Sequence, residues 1–240
     1  MLVIPLSLPV SLPGVYAPQD DTDLLVDALR REPLAPQARV LDVGTGTGAV
    51  ALVAARRGAR VTAVDISWRA VLNAKVNAVL AGLSMTVVQG NLLAPVSGRS
   101  FDLILSNPPY VPGPETEPGP GPGPRPRRGS ARAWEGGRDG RLVLDRICRD
   151  SPSLLRPGGV LLLVQSALSD AERTLTQLRA EGLRAEVADH RKVAFGPVLR
   201  SRSDWLRDRG LLGAESGPDG DEKEELVIIR AERPHTERPR

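Results

Sequence analysis

Apolar residues along the chain recur in two spacings that alternate with each other. Short continuous apolar runs are typical of buried strands, and seven occur in order: ARVLDVGTGTG, RVTAVDIS, MTVVQGN, FDLILSN, VLLLVQS, residues 183–188 and LVIIRAE. Elsewhere apolar residues recur every three or four positions, which predicts helices over residues 21–31, 49–58, 68–81, 141–155 and 169–181. Alternating strands and helices favour an α/β fold with parallel strands, right-handed crossovers and a sheet covered on both faces.

Residues 112–133 interrupt this pattern with a low-complexity sequence, PGPETEPGPGPGPRPRRGSARA. Such a sequence cannot bury a core, so we expect an extended or mobile loop inserted into one domain rather than a linker between two. Residues 1–240 then form a single domain, with a disordered tail over residues 233–240. The loop contains four arginines, Arg125, Arg127, Arg128 and Arg132. They could contact an acidic or RNA-bound partner, or they could simply be solvated and keep the loop soluble, and both interpretations stay open.

Composition excludes several kinds of site. Cys148 is the only cysteine, so no intramolecular disulfide can form, and the two histidines give no zinc signature, so we expect no metal site. No run approaches the roughly 20 apolar residues of a membrane span. Prolines interrupt the apolar start, MLVIPLSLPVSLPG, which argues against a signal peptide. We therefore expect a cytoplasmic protein without membrane contact, whose net charge of +3 permits an acidic partner without requiring one.

A glycine-rich turn, LDVGTGTG, places Gly44, Gly46 and Gly48 where the first strand gives way to a helix. Glycine lets the backbone approach a ligand closely, and a helix N-terminus offers free N–H groups to a carboxylate or phosphate. The second strand ends at Asp65, whose carboxylate can accept hydrogen bonds from both ribose hydroxyls. These features indicate a nucleoside ligand, and because dehydrogenases have a similar fingerprint, its identity depends on the fourth strand.

The fourth strand ends in SNPPY, residues 106–110. Pro108 restricts Asn107 to an extended conformation, and Pro109 stiffens the next step, so the motif forms a rigid ledge at the carboxyl edge of the sheet. The side-chain oxygen of Asn107 and the carbonyl of Pro108 can both accept hydrogen bonds from one –NH2 group. Tyr110 can pack against the flat face of that group. The motif therefore predicts transfer of a methyl group to a planar amide or amine nitrogen, without a charged base.

With these motifs the chain resembles class I S-adenosylmethionine-dependent methyltransferases, and within them the glutamine-N5 methyltransferases of peptide-chain release factors. The resemblance is carried by VYAPQDDTDLLVDAL, LDVGTGTG, SNPPY and AWEGGRDGRLVLDR, and is strongest to the short single-domain branch. It implies a Rossmann-like, doubly wound and mostly parallel sheet of seven strands with an antiparallel last strand. It also implies S-adenosyl-L-methionine as methyl donor and the glutamine of a Gly-Gly-Gln motif as acceptor.

The resemblance assigns roles by position. The catalytic group would be Asn107, Pro108 and Tyr110. The donor site would be formed by Asp21, Thr22, Asp42, Gly44, Gly46, Gly48, Asp65, Asn91 and Asn107. Within it, Asp65 would hold the ribose, and Asn91 would offer an amide oxygen to the adenine amino group where the family usually has an aspartate.

Three alternatives stay open from the sequence. The chain could methylate an exocyclic amine of a base in RNA or DNA, although enzymes that flip a base out of a duplex usually carry additional recognition surface. It could be a nicotinamide-dependent oxidoreductase, which would give Asn107 no role. It could also be a non-catalytic nucleoside-binding module. Some relatives work only with a small zinc-binding activator subunit, which adds a second expected partner beside the release factor.

Overall fold

A seven-stranded sheet forms the centre of the molecule. The computed structural model describes residues 9–114, 133–212 and 223–235. The strands follow the spatial order β3-β2-β1-β4-β5-β7-β6. Their bounds are β1 Arg39–Val43, β2 Arg60–Asp65, β3 Thr86–Gln89, β4 Phe101–Ser106, β5 Leu155–Ser166, β6 Arg184–Ala194 and β7 Lys223–Glu232.

Helices connect most of these strands. Their bounds are α1 Asp20–Arg31, α2 Ala49–Arg56, α3 Trp68–Leu80, α4 Leu144–Asp150, α5 Ala171–Ala180, α6 Pro197–Arg200 and α7 Ser203–Asp208. The helix α1 packs against α2, and α4 packs against α5. Within the described ranges, no helix is both long and apolar enough to cross a membrane.

The directions of the strands match the predicted topology. Strands β1 to β5 pair in parallel, whereas β7 is antiparallel to both β5 and β6. The predicted mostly parallel seven-stranded sheet with an antiparallel last strand is therefore confirmed. The strand order reverses between β1 and β4, and ligands bind open α/β sheets at such a switch point, outside the carboxyl ends of the strands.

One hydrophobic cluster fills both sides of the central strands. The side chains of Leu41 in β1, Leu105 in β4 and Leu163 in β5 have no exposed surface. Strands that are buried on both faces consist of continuous apolar runs, which explains why FDLILS and VLLLV lack a polar alternation. The central strands are thus held in place by packing on both faces.

Several elements differ in extent from the sequence prediction. Strand β5 begins at Leu155, ahead of the VLLLVQS run, because that residue pairs with Phe101 of β4. The predicted helix over 141–155 is shorter, because Pro152 opens a 3-10 turn after α4. Strand β6 runs to Ala194, since β7 pairs with it along its length. The short helices α6 and α7 were not predicted.

The described ends of the predicted loop insertion are held together as a stem. Val111 donates its N–H to the carbonyl of Trp134 at 2.9 Å and accepts a bond from the N–H of Gly136 at 2.9 Å. Gly113 donates to the carbonyl of Gly137 at 3.0 Å. Residues 115–132, with the four arginines that suggested an acidic or RNA-bound partner, lie outside the described residues.

The chain leaves the sheet with further backbone pairing after β7. Arg233 accepts a hydrogen bond from the N–H of Gly158 at 2.7 Å and donates to the carbonyl of Gly159 at 2.8 Å. The remainder of the predicted tail, residues 236–240, lies outside the described part of the chain.

Candidate active site

The glycine-rich turn between β1 and α2 forms one wall of the switch point. Gly44, Gly46 and Gly48 have φ values of 75°, 55° and 83°, a left-handed conformation that side chains rarely adopt. Two successive N–H groups, of Gly44 and Thr45, donate to the carbonyl of Val64 in β2. The turn is therefore fixed to the neighbouring strand and leaves its outer face open to a ligand.

Asp42 lies under this turn as a buried acid. Its carboxylate accepts a 2.6 Å hydrogen bond from the hydroxyl of Thr45. Burial raises its pKa to about 6, opposed by the Thr45 bond and assisted by the charge of Asp65. The side chain braces the turn from within.

Asp65 connects the end of β2 to the same turn. One of its carboxylate oxygens accepts a bond from the N–H of Gly46 at 3.0 Å, and the other accepts a bond from the N–H of Ser67 at 2.8 Å. The two bonds hold the Asp65 carboxylate beside the glycine turn. The predicted donor residues 42, 44, 46, 48 and 65 thus surround one loop.

SNPPY extends from the carboxyl end of β4 beside this loop. The Ser106 hydroxyl is buried and donates to the carbonyl of Val43 at 2.9 Å, which ties the ends of β4 and β1 together. A Cβ atom at Gly44 would lie 3.8 Å from the carbonyl oxygen of Asn107, so the loop and the ledge are direct neighbours. A small pocket opens at the ledge, lined by Tyr16, Asp21, Asn107, Pro108, Tyr110, Val111, Ala133 and Trp134.

Asp21, near the start of α1, is a hub of hydrogen bonds in this pocket. One oxygen accepts from the hydroxyls of Tyr16 at 2.9 Å and Tyr110 at 3.0 Å. The other accepts from the backbone N–H of Thr22 at 2.6 Å and from its hydroxyl at 3.2 Å. The Asn107 amide in turn donates to the Thr22 hydroxyl oxygen at 3.4 Å. The opening motif and the SNPPY motif are thereby joined.

The two tyrosine hydroxyls remain protonated donors. Burial, with the nearby charge of Asp21, raises the pKa of Tyr110 well above its usual range. The pKa of Tyr16 is raised for the same reasons. Neither phenol can therefore act as an anionic base, and both are fixed in orientation by Asp21.

Glu224 near the start of β7 was missed by the sequence prediction. Burial raises its pKa to about 7, against a hydrogen bond from Ser166. Its Oε2 atom is buried without a hydrogen-bond partner among the described residues. Its charge also raises the pKa of Tyr16 and Tyr110, which places it behind the pocket. No sequence signal distinguishes Glu224, because it lies in a polar stretch that precedes the apolar part of the strand.

Arg141, within the AWEGGRDGRLVLDR motif, is a second residue whose role was missed. Its side chain is 1% exposed, and it donates to Asp145 and to the carbonyls of Ser169 and Asp170. The Ser169 hydroxyl donates to the carbonyl of Tyr110 at 2.6 Å. Arg141 therefore braces the ledge from behind through Ser169, whereas Ala133 and Trp134 of the same motif line the pocket.

Asn91 lies at the other end of the predicted donor site. Its side chain is exposed, and its amide oxygen accepts a 3.1 Å bond from Arg146. An adenine amino group would therefore share this oxygen with the guanidinium of Arg146.

Comparison with known proteins agrees with this geometry. Residues 9–119 match the family described as Methyltransferase small domain. A solved structure of the Mtq2-Trm112 complex from E. cuniculi superposes with a TM-score of 0.61 at 25% identity, covering 92% of this chain and 99% of that one. A 16S rRNA methyltransferase from T. thermophilus, solved with AdoMet, superposes with a TM-score of 0.58 at 22% identity, covering 93% and 46%. The fold and the site define a Rossmann-like class I methyltransferase whose methyl donor is S-adenosyl-L-methionine.

Curated relatives narrow this class. A putative protein N5-glutamine methyltransferase from Methanocaldococcus jannaschii is 35% identical over 192 residues, covering 78% of this chain and 90% of the relative. A release factor glutamine methyltransferase from Deinococcus radiodurans is 41% identical over 188 residues, covering 78% and 62%. The chain therefore spans nearly all of the archaeal relative and less than two thirds of the bacterial one. It belongs to the protein N5-glutamine methyltransferase family.

Proposed function

We propose that this protein methylates the side-chain nitrogen of the glutamine in the Gly-Gly-Gln motif of a peptide-chain release factor. The observation that carries the proposal is the orientation of Asn107, whose amide nitrogen faces Thr22 and whose oxygen is left for a substrate. Relatives named as release factor glutamine methyltransferases support this acceptor. A release-factor substrate also supports a cytoplasmic site of action.

The donor side fits S-adenosylmethionine by charge and shape. Asp42 and Asp65 place two carboxyl groups beside the glycine turn, opposite a ligand that carries a positive sulfonium and an ammonium group. Side chains at Gly44 or Gly46 would project between the turn and its neighbours, so glycine keeps room for the donor. We assign the methionine part to the turn, the ribose to Asp65 and the adenine to the vicinity of Asn91.

The acceptor side consists of Asn107, Pro108 and Tyr110. The Asn107 oxygen and the Pro108 carbonyl would accept the two hydrogens of the glutamine –NH2, and the ring of Tyr110 would pack against the amide plane. This arrangement directs the nitrogen lone pair toward the donor. Positioning of this kind can lower a barrier by about 7 to 11 kcal/mol.

Bound S-adenosylmethionine would supply a methyl carbon bonded to a positive sulfur. The amide nitrogen would bond to that carbon as the carbon–sulfur bond breaks and S-adenosylhomocysteine leaves. One proton would pass from the nitrogen to water, so that the methylated amide is neutral. The protein contributes orientation and exclusion of water rather than a covalent step. Consistent with that role, the Asp21 carboxylate in the pocket already accepts four hydrogen bonds, and the two tyrosines beside it are neutral.

The test is mass spectrometry of a release factor incubated with S-adenosylmethionine and the protein in extract from the same source, so that any activating subunit is present. We expect one added methyl group on the Gly-Gly-Gln glutamine, and at least about 100-fold slower transfer by Asn107→Ala, because positioning is lost. Gln37→Ala removes an exposed amide just before β1, at the edge of the sheet opposite the ledge, and serves as the matched control with unchanged activity. Donor binding by wild type without methylation of any release factor would exclude this substrate.

A second partner is a small activating subunit. The E. cuniculi relative was solved in complex with a second protein, Trm112. In this chain the outer face of α3 exposes large apolar side chains, with Trp68 60%, Val79 78% and Leu80 69% accessible. Contiguous exposed apolar surface marks interaction sites. We propose this α3 face, defined by Trp68, Leu72, Val76, Val79 and Leu80, as the docking surface for a small zinc-binding subunit.

A further inference from the structure

The Asp21 carboxylate determines the direction of each hydrogen bond that leads to Asn107. It is surrounded by four donors, the hydroxyls of Tyr16 and Tyr110 and the backbone N–H and hydroxyl of Thr22. A carboxylate in such a setting accepts every bond and donates none. The single hydrogen of the Thr22 hydroxyl is therefore used on Asp21.

The Thr22 hydroxyl oxygen can then only accept a hydrogen bond from its other neighbour, the Asn107 amide at 3.4 Å. If the Asn107 oxygen faced Thr22, two acceptors would meet, so the –NH2 end of the Asn107 amide must point to Thr22. The Asn107 oxygen consequently points the other way. The polarity is fixed by hydrogen-bond chemistry, independently of how similar the two ends of an amide are in shape.

We propose that Thr22 is a positioning residue that sets the orientation of the Asn107 amide and thereby makes the ledge selective for a substrate with an –NH2 group. The proposal rests on the proposed function, since it requires an –NH2 acceptor at Asn107. In the flipped orientation Asn107 would present its own –NH2 to the substrate –NH2, and two donors cannot pair. Asp21 acts one step further away, through Thr22.

The decisive variant is Thr22→Val, which keeps the shape of the side chain and its backbone bond to Asp21 but removes the hydroxyl. Without that oxygen the Asn107 amide is free to flip. We expect kcat for glutamine methylation to fall roughly 10- to 100-fold. Thr22→Ser restores the hydroxyl and should recover activity to within about threefold of wild type.

A second background separates orientation from packing. Asn107→Asp offers oxygen at both ends of the side chain, so Thr22 no longer has an orientation to choose. If Asn107→Asp retains measurable transfer, Thr22→Val should cost less than about threefold in that background, a coupling that a double-mutant cycle measures. An equal loss in both backgrounds would overturn the proposal. Thr86→Val, at an exposed position of β3, is the matched hydroxyl control.

A readout that does not depend on the substrate distinguishes this proposal from the proposed function. In protein labelled with 15N-asparagine, the Asn107 –NH2 hydrogens should show a nuclear Overhauser contact to the Thr22 methyl group. In Thr22→Val the contact to the residue 22 methyl groups should weaken or vanish as the amide flips. Loss of the contact without release-factor methylation would remove the proposed substrate and keep the role of Thr22. An absent contact in wild type, or an unchanged one in the variant, would overturn that role.

Discussion

At the scale of single residues, Glu224 is a partly buried acid whose pKa is raised in the folded state. Its pKa rises from 4.5 to about 7 through burial. The folded state thus binds the proton more tightly than the unfolded chain, so stability is highest below about pH 4.5 and falls as pH rises through about 7. Glu224→Gln should remove this fall and raise the free energy of unfolding at pH 8 by about 2 kcal/mol. Thermal unfolding between pH 4 and pH 8 measures it.

Asp42 contributes separately to the dependence of stability on pH. Burial raises the pKa of Asp42 from 3.8 to about 6, so its ionisation lowers the stability of the folded protein between these two pH values. This part of the decline is complete near pH 6 and should persist in Glu224→Gln. Glu225→Gln, which alters the exposed pair with His190, is the matched control and should keep the full decline. If the stability of Glu224→Gln and that of wild type declined in parallel up to pH 8, Glu224 would not have a raised pKa in the folded state.

At the scale of elements, the segment before α4 supports the ledge through Gly140. This residue has a φ of 76°, and a Cβ atom there would lie 2.3 Å from the carbonyl oxygen of Tyr110 and from the Ser169 hydroxyl. Gly140→Ala should therefore lower stability by about 2 to 4 kcal/mol and displace Tyr110, with a larger loss of methylation than of donor binding. Unfolding curves and initial rates measure the two effects.

The control for this substitution is Gly182→Ala. Gly182 has a φ of 83°, but a Cβ atom there would have no neighbour within 4 Å. Gly182→Ala should lower the free energy of unfolding by only about 1 to 2 kcal/mol, because alanine is strained at a positive φ, and it should leave methylation unchanged. Equal effects of the two substitutions on the methylation rate would show that contact with Tyr110 is unimportant.

The elements that the sequence predicted well are those with local signals. The glycine turn, Asp65 and SNPPY were identified because each follows an apolar run that ends where a strand ends. The convergence of Tyr110 on Asp21 was not, since the two are separated by 89 positions and meet only through the sheet. The helices α6 and α7 are four and six residues long, too short to establish a helical period.

At the scale of the whole molecule, the α3 face is the surface where we expect the activating subunit. Val79→Asp places a charge in its most exposed apolar position, so it should abolish stimulation by a small zinc-binding subunit from the same source. Val187→Asp introduces the same change on β6, at the opposite edge of the sheet, and should leave stimulation intact. Methylation rates with and without the subunit measure this effect, and equal stimulation of both variants would exclude the α3 face.

Val111, Trp134 and Gly136 form a stem at the wall of the acceptor pocket, where the chain leaves the described residues and returns to them. Because the two ends of the inserted segment are fixed to each other at the pocket wall, its length can change while the ledge keeps its geometry, and the entropic cost of a longer loop grows only slowly. The position is thus a natural site of insertion, where recognition sequence can be gained, exchanged or shortened without rebuilding the catalytic centre. A change of substrate specificity would therefore begin with a change in this inserted segment, while the residues that carry out methyl transfer stay the same.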